Sequence, residues 1–323
     1  ELLATRYAQE TVRTAVAAET ARSYFALLAA DVELALLRDT LQSREETVAL
    51  QRDLYEAGVI GDYDLQRAQA ERAAVAANVA VAERAVGTYE SALAAILGRS
   101  PRAVFDPQIA RDATRVRLLG VPEVASGLPS DLLERRPDVR QVEAQLAAAS
   151  LRIDAARAQY FPSLALTASY GSESAALANL FSTAGLAWGI GASLLQPLVG
   201  LQAIEASVEA ESARREAAVV SYVQTVQTAF RETHDALLAN RTTREALAAQ
   251  AERARKLEVS LELAELRYRS GYSAYIDVLD AQRQLLQAQT LQILAARDVR
   301  FALIDLAKAM GGGWDYKAEM AAQ

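Results

Sequence analysis

Apolar residues recur at spacings of three and four over most of the chain. From residue 1 to 56 no glycine or proline interrupts the pattern. It predicts one helix, roughly 80 Å long at about 1.5 Å per residue. A return helix is predicted over 62–97, with Asp62 as its N-cap and Gly98 as its stop. A second long helix is predicted from Gly200 to Arg269, roughly 105 Å at the same rise. Within it Leu247, Gln250, Ala254, Leu257, Leu261, Ala264 and Tyr268 keep the 3-4 spacing of a coiled-coil seam. Its return helix is predicted from about Ala274 to Met310, and there Leu279, Leu286 and Ile293 repeat every seven residues. Gly271 stands where a helix stop belongs, because glycine takes the left-handed conformation without steric cost. A connection this short forces the two helices to run antiparallel. The stretch Arg267 to Arg283 is therefore the tip of a long helical hairpin.

The period changes in two places. Between 99 and 129, Pro101, Pro107, Pro122, Pro129, Gly120 and Gly127 break any helix. This reads as a linker, with Val104-Phe105 and Leu118-Leu119 as its apolar packing points. Ser130 to Arg136 reads as a short helical turn. Pro137 opens a helix to about Tyr160, and Pro162 ends it. Over 163–196 the period becomes two. Leu164, Leu166, Ala168 and Tyr170 alternate with Ala165, Thr167 and Ser169. Leu186, Trp188, Ile190, Ala192 and Leu194 alternate with Ala187, Gly189, Gly191 and Ser193. One face is apolar and the other small or polar. That fits strands of a membrane β-barrel and a soluble hairpin packed on a core equally well. Tyr170 and Trp188 are the candidate interface aromatics.

The hairpin occurs twice. Asp53 to Gly98 aligns without a gap onto Leu266 to Gly311. Tyr55 falls on Tyr268, Gly58 on Gly271, Asp64 on Asp277 and Ala68-Gln69 on Ala281-Gln282. Arg84, Val86, Leu93-Ala94 and Gly98 fall on Arg297, Val299, Leu306-Ala307 and Gly311. The matched glycines and tyrosines are more than helical composition supplies, so the chain is an internal duplication. The alignment puts Glu1 opposite Arg214, inside the second long helix. The chain is thus expected to begin within a helix, with a part of the protein preceding it.

Composition narrows the chemistry. Alanine, leucine, glutamate and arginine dominate and only 6% of residues are aromatic, the make-up of long helices and coiled coils. A net charge of -7 argues against nucleic acid as a partner. With no cysteine in the sequence, disulfides, thiol chemistry and cysteine metal sites are excluded. No apolar run reaches the roughly 20 residues of a membrane-spanning helix. The single histidine, His234, has no second ligand at metal spacing and reads as structural. No nucleophile elbow, P-loop or dinucleotide fingerprint is present, so no enzyme, metal or cofactor is expected. Asp277 and Asp280 are three apart and share one helical face. Helix-dipole stabilisation explains Asp277 and its counterpart Asp64. It explains Asp280 less well, since Arg67 takes that place in the first repeat. If several chains close a ring, such acids form a negative collar that selects cations.

The segment Leu128-Pro129-Ser130-Asp131-Leu132-Leu133-Glu134-Arg135-Arg136-Pro137-Asp138-Val139-Arg140 resembles a signature of the outer-membrane factor family. These are the TolC/OprM-type efflux ducts, and within them the NodT-like lipoprotein branch of tripartite RND-type exporters. Phe161-Pro162-Ser163-Leu164, Gln196-Pro197-Leu198, the Asp277 to Gln282 tip and Gly311-Gly312-Gly313-Trp314 follow in the family's order, so the resemblance covers essentially the whole chain. It implies a mainly α homotrimer, in which the duplicated antiparallel helical hairpins form a periplasmic α-barrel. A β-hairpin would join a shared outer-membrane β-barrel. Residues 1–98 and 197–310 would be the two helical hairpins, and 99–136 an equatorial linker. The short helix of the second repeat would be 137–162, the barrel hairpin 163–196 and the tail 311–323.

The implied function is that of a passive exit duct for small molecules, set in the outer membrane, extending into the periplasm and gated at the helical tips. Its implied partners are a periplasmic adaptor (membrane fusion) protein, an inner-membrane pump and outer-membrane lipid. Asp277 and Asp280 match aspartates that ring the constriction, and Arg283 an arginine near the gate. Tyr268 and Asp64 match tip residues that bond between hairpins. Ser273 departs from the arginine of the TolC branch, which leaves the bonding of the gate open. The adaptor contact would centre on Gly58, Val59, Ile60, Gly61 and Asp62, and on Gly271, Tyr272, Ser273, Ala274 and Tyr275. The family carries a short helix and a further strand hairpin before residue 1, and this branch often a lipidated cysteine, so the chain is expected to be N-terminally truncated. The alternative from another class is a soluble periplasmic coiled-coil scaffold or adaptor, whose 163–196 hairpin would stay in water.

Overall fold

The computed structural model describes residues 1–100, 102, 109, 135–173 and 186–312. Residues 130–134 of the turn expected over 130–136, the apolar pairs of the linker, most of the loop between the strands and the tail beyond Gly312 lie outside them. Among the described residues seven elements follow in order: α1 (Leu2–Glu56), α2 (Asp62–Ile96), α3 (Pro137–Ala158), β1 (Ser163–Ser172), β2 (Leu186–Leu195), α4 (Leu201–Arg269) and α5 (Tyr275–Ala309). They fall into two compact units. One comprises Gln9–Pro137 and Thr228–Gln323, the other Glu1–Ala8 and Asp138–Gln227.

The first unit holds the duplicated hairpins. α2 and α5 are each 35 residues long, as expected of copies. The predicted stops Gly98 and Gly271 and their aligned counterparts Gly311 and Gly58 all have positive φ, at 65°, 77°, 90° and 71°. At each the last carbonyls are closed by the same pair of bonds. Gly58 N–H donates to Tyr55 and Val59 N–H to Leu54; Gly271 N–H donates to Tyr268 and Tyr272 N–H to Arg267, all at 2.9 Å. This is the paired Schellman closure of a helix end.

The return helices start less as predicted. Asp62 is the first residue of α2, not its cap. Extended Gly61 holds the cap position (φ -83°, ψ 162°) and Ala274 does so for α5, neither with a side-chain cap bond. Asp62 instead accepts a 3.2 Å bond from Gln66 Nε2, and its charge complements the helix dipole from inside the first turn.

Small and branched residues make the seams. Leu27, Ala30, Leu34 and Leu37 of α1 cluster with Ala82, Val86 and Leu93 of α2, with Leu286 of α5 against them. Ala236 of α4 clusters with Leu306 and Ala309 of α5. Alanine at these contacts lets helix axes approach closely.

The second unit holds α3, the strands and the first part of α4. Arg140 lies over the Tyr7 ring at 5.8 Å and Arg152 pairs with Glu1, so α3 is joined to the first turns of α1. Strands β1 and β2 pair antiparallel, with Leu164 opposite Leu194, Leu166 opposite Ala192, Ala168 opposite Ile190 and Tyr170 opposite Trp188. The predicted strands and their alternation are therefore present.

Candidate functional site

Four helices meet at the tips. Ala68 of α2 and Tyr275, Val278 and Leu279 of α5 form a buried cluster, against which Val48 of α1 and Leu261, Ala264 and Tyr268 of α4 pack. The Tyr268 and Tyr275 rings lie 5.5 Å apart at 49°. Offset aromatic pairs of this kind add to what their burial contributes.

Polar groups are threaded through this core. Arg44 of α1 is 5% exposed and its Nη1 donates to Gln282 Oε1 of α5. Among the described residues its Nε finds no hydrogen-bond partner, nor do Gln51 Oε1, Ser273 Oγ and the Tyr275 hydroxyl, all buried atoms. Burial holds the Arg44 guanidinium below its usual range, opposed by Tyr275, Glu71 and Glu265. Burial likewise pushes the Tyr275 hydroxyl up to about 12, opposed by Arg44. An unpaired buried polar atom costs about 1–3 kcal/mol, so this core is less stable than an apolar one of the same shape.

The predicted acids stand outside it. Asp277 and Asp280 are exposed. Arg283 lies 3.7 Å from Asp280 and 3.8 Å from Glu71 of α2, joining the two return helices through a loose, half-solvated pair. Asp64 is half-buried. Arg67, at the place of Asp280, stays on its own helix and donates to the Tyr63 hydroxyl at 3.1 Å. Of the expected adaptor contacts, Gly58, Val59, Gly61, Asp62, Gly271, Tyr272 and Ala274 are exposed, and Ile60 and Ser273 half-buried. Tyr275 is the one that faces the core.

The sequence reading missed Arg44, Gln51, Glu71 and Gln282. A signal for two of them was present. Along α1 the seam positions that align with Leu257 and Ala264 of α4 carry Arg44 and Gln51. Polar residues at seam positions weaken a coiled coil and specify its register.

A second surface is the β-hairpin. Every residue of β1 is exposed, and all of β2 except Gly189. One face carries Leu164, Leu166, Leu194, Ile190 and, at one end, the cross-strand pair Tyr170 and Trp188, both more than two-thirds exposed. The other face is tight and small. A Cβ added at Gly191 would come within 2.9 Å of Thr167 Oγ1, and one at Gly189 within 3.3 Å of Ser169 Oγ. Among the described residues no helix is long and apolar enough to cross a membrane.

The comparisons with known proteins match both surfaces at once. The family model described as outer membrane efflux protein matches residues 1–99 and 128–312. Outer membrane protein OprJ of Pseudomonas aeruginosa is 35% identical over 319 residues, 98% of this chain and 65% of its own length. The probable efflux pump outer membrane protein TtgC of Pseudomonas putida is 33% identical over 97% of this chain and 63% of its own length. The chain thus spans just under two thirds of these relatives. The open-state structure of the Neisseria gonorrhoeae MtrE outer membrane channel superposes with a TM-score of 0.81, at 30% identity, covering 96% of this chain and 69% of that one. These matches remove the soluble scaffold from consideration. The duplicated hairpins, the exposed apolar strands and the matches over nearly the whole chain together place this protein in the outer membrane efflux protein family.

Proposed function

We propose that this chain is the larger part of a passive outer-membrane exit duct, which works as a homotrimer and is gated at its helical tips. The observation that carries this reading is the β-hairpin. Two strands with an apolar face bare to the surroundings and two open edges cannot persist alone in water. In lipid they must be closed into a barrel, where every backbone group is paired. One hairpin cannot close on itself, so strands from the rest of the protein and from further copies would complete it. Exposed Val259, Leu263 and Leu266 on α4, spaced four and three apart and off the α5 seam, suit the neighbouring protomer.

At the helical tips, exposed Asp277 and Asp280 would form a ring of acids, three-fold repeated, that favours cations and narrows the entrance. Exposed Val59 and Tyr272, at equivalent places in the two tips, offer the apolar contact to a periplasmic adaptor, and an inner-membrane pump would deliver the small molecules. Outer-membrane lipid would surround the Tyr170 and Trp188 girdle.

Single-channel recording of the full-length protein in planar bilayers tests this. Small, cation-selective currents are expected, and Asp277→Ala with Asp280→Ala should enlarge them or abolish the selectivity. Folded protein that never conducts would overturn the duct.

A further inference from the structure

The two ends of α5 are held in different ways. At its C-terminal end the Ala309 carbonyl accepts from Arg136 Nη1 at 3.1 Å and from Thr233 Oγ1 at 3.3 Å. The buried Arg136 also pairs with Glu232 at 2.7 Å. Just beyond, a Cβ on Gly311 would sit 2.8 Å from the Arg135 carbonyl carbon, so the chain passes there with no room to shift. Leu306 beside this joint is fully buried. Two charge-assisted or buried bonds on one carbonyl and a close backbone crossing make a fixed joint.

Two polar ties join α5 to α1 further along, Arg22 with Asp305 and Arg44 with Gln282. They are separated by nearly the same distance on both helices, roughly 33–35 Å at 1.5 Å per residue. The first lies near the fixed joint, and Phe301 reinforces it beneath the Arg22 guanidinium at 4.9 Å. The second lies at the tip and is incompletely satisfied, because Arg44 Nε is buried with no partner among the described residues. The duplication supplies the comparison: the position of Arg44 corresponds to Leu257 in the second repeat, so an apolar seam is compatible with this backbone. Arginine there gives up stability for a contact that can be released.

We propose that Arg44 is a latch residue: its contact with Gln282 holds the tip half of α5 against α1, and its release lets α5 swing from the Arg136 joint and widen the entrance. The proposal rests on the duct reading above. The latch is a positioning device, since Arg44 is buried and faces no permeating ion.

Single-channel recordings of the full-length trimer separate the outcomes. Arg44→Leu leaves Gln282 without its partner and should raise the fraction of time spent open by about tenfold or more. Gln282→Leu should do the same from the other side. The double variant rebuilds an apolar seam and should return gating to the wild-type level or below. Cation selectivity should stay constant throughout, which an altered charge in the pore would not allow. If Arg44→Leu does not assemble, Gln282→Leu and the double variant carry the same contrast. Unchanged gating in the single variants, or equal opening in the single and double variants, overturns the latch while leaving the duct intact. If wild-type trimers do not conduct at all, the duct reading falls and the latch with it.

Discussion

Gly58 and Gly271 carry the same left-handed turn and the same pair of 2.9 Å closing bonds, and an extended residue follows three positions on at each. Their surroundings differ. α2 and α5 share a buried stripe, Leu65 with Val278, Ala68 with Ala281, Val75 with Ala288, Val86 with Val299 and Leu93 with Leu306. α5 then buries Tyr275 and Leu279 as well, one turn apart, where α2 exposes Asp62 and Gln66. Duplication thus copied the backbone and one seam. The second copy has an apolar face wider by Tyr275 and Leu279, which it places in the four-helix junction. The first copy kept a narrow seam and a solvated outer face. Two hairpins with identical turns thereby differ in packing, the second burying an apolar pair where the first exposes polar side chains.

The largest expected effect tests that added row. Leu279 is 2% exposed, and Leu279→Ala should cost about 2–5 kcal/mol through lost burial and the cavity left behind. Its counterpart Gln66 is exposed, and Gln66→Ala should stay within about 0.5 kcal/mol. Denaturant unfolding followed by the helical signal measures both. Equal losses would mean that the tips are packed alike and that the contrast drawn here is wrong.

Tyr275 sharpens the same contrast through pH. Burial raises its hydroxyl from 10 to about 12, so the folded protein holds the neutral phenol more tightly than the unfolded chain does. The stability linked to this group is fully present below pH 10 and is lost as pH rises through about 12, amounting to about 3 kcal/mol in all. Tyr275→Phe should remove that alkaline loss. At neutral pH it should cost little, because the hydroxyl has no hydrogen-bond partner among the described residues. Melting temperatures of both proteins across the alkaline range decide the matter: curves that fall in parallel would place the titrating group elsewhere.

These contrasts also mark where the sequence stopped being legible. Helix ends were readable because Gly58, Gly98, Gly271 and Gly311 impose a local backbone conformation, and the strands because period two survives with no knowledge of neighbours. Asp62 was misplaced by one residue, since an extended glycine can occupy a cap position without a side-chain bond. The acids at 277 and 280 were readable as a face. The Arg44 to Gln282 contact was not, because it joins helices 238 positions apart, and local periodicity says only that Arg44 interrupts a seam. The burial of Tyr275 was not legible for the same reason. A tyrosine at the first turn of a helix is equally at home in solvent, and only the arrival of Val48, Leu261 and Ala264 from other helices buries it.

The smallest effect is the most exacting for the idea that specialisation spared the backbone. At Gly58 and Gly271 an added Cβ meets nothing within 4 Å, so alanine at either place has space and suffers only the strain of a left-handed turn. That strain is about 1 kcal/mol, and it should be equal at the two sites to within a few tenths, although one turn is followed by buried Tyr275 and Leu279 and the other by exposed Asp62 and Gln66. Thermal unfolding of Gly58→Ala and Gly271→Ala makes the comparison directly. A markedly larger loss at Gly271 would show that its turn is coupled to the packing of Tyr275 and Leu279, so that widening the apolar face had also reset the turn. Equal losses would mean that the turn is a separate module, inherited unchanged, on which side-chain packing alone built the difference between the two hairpins.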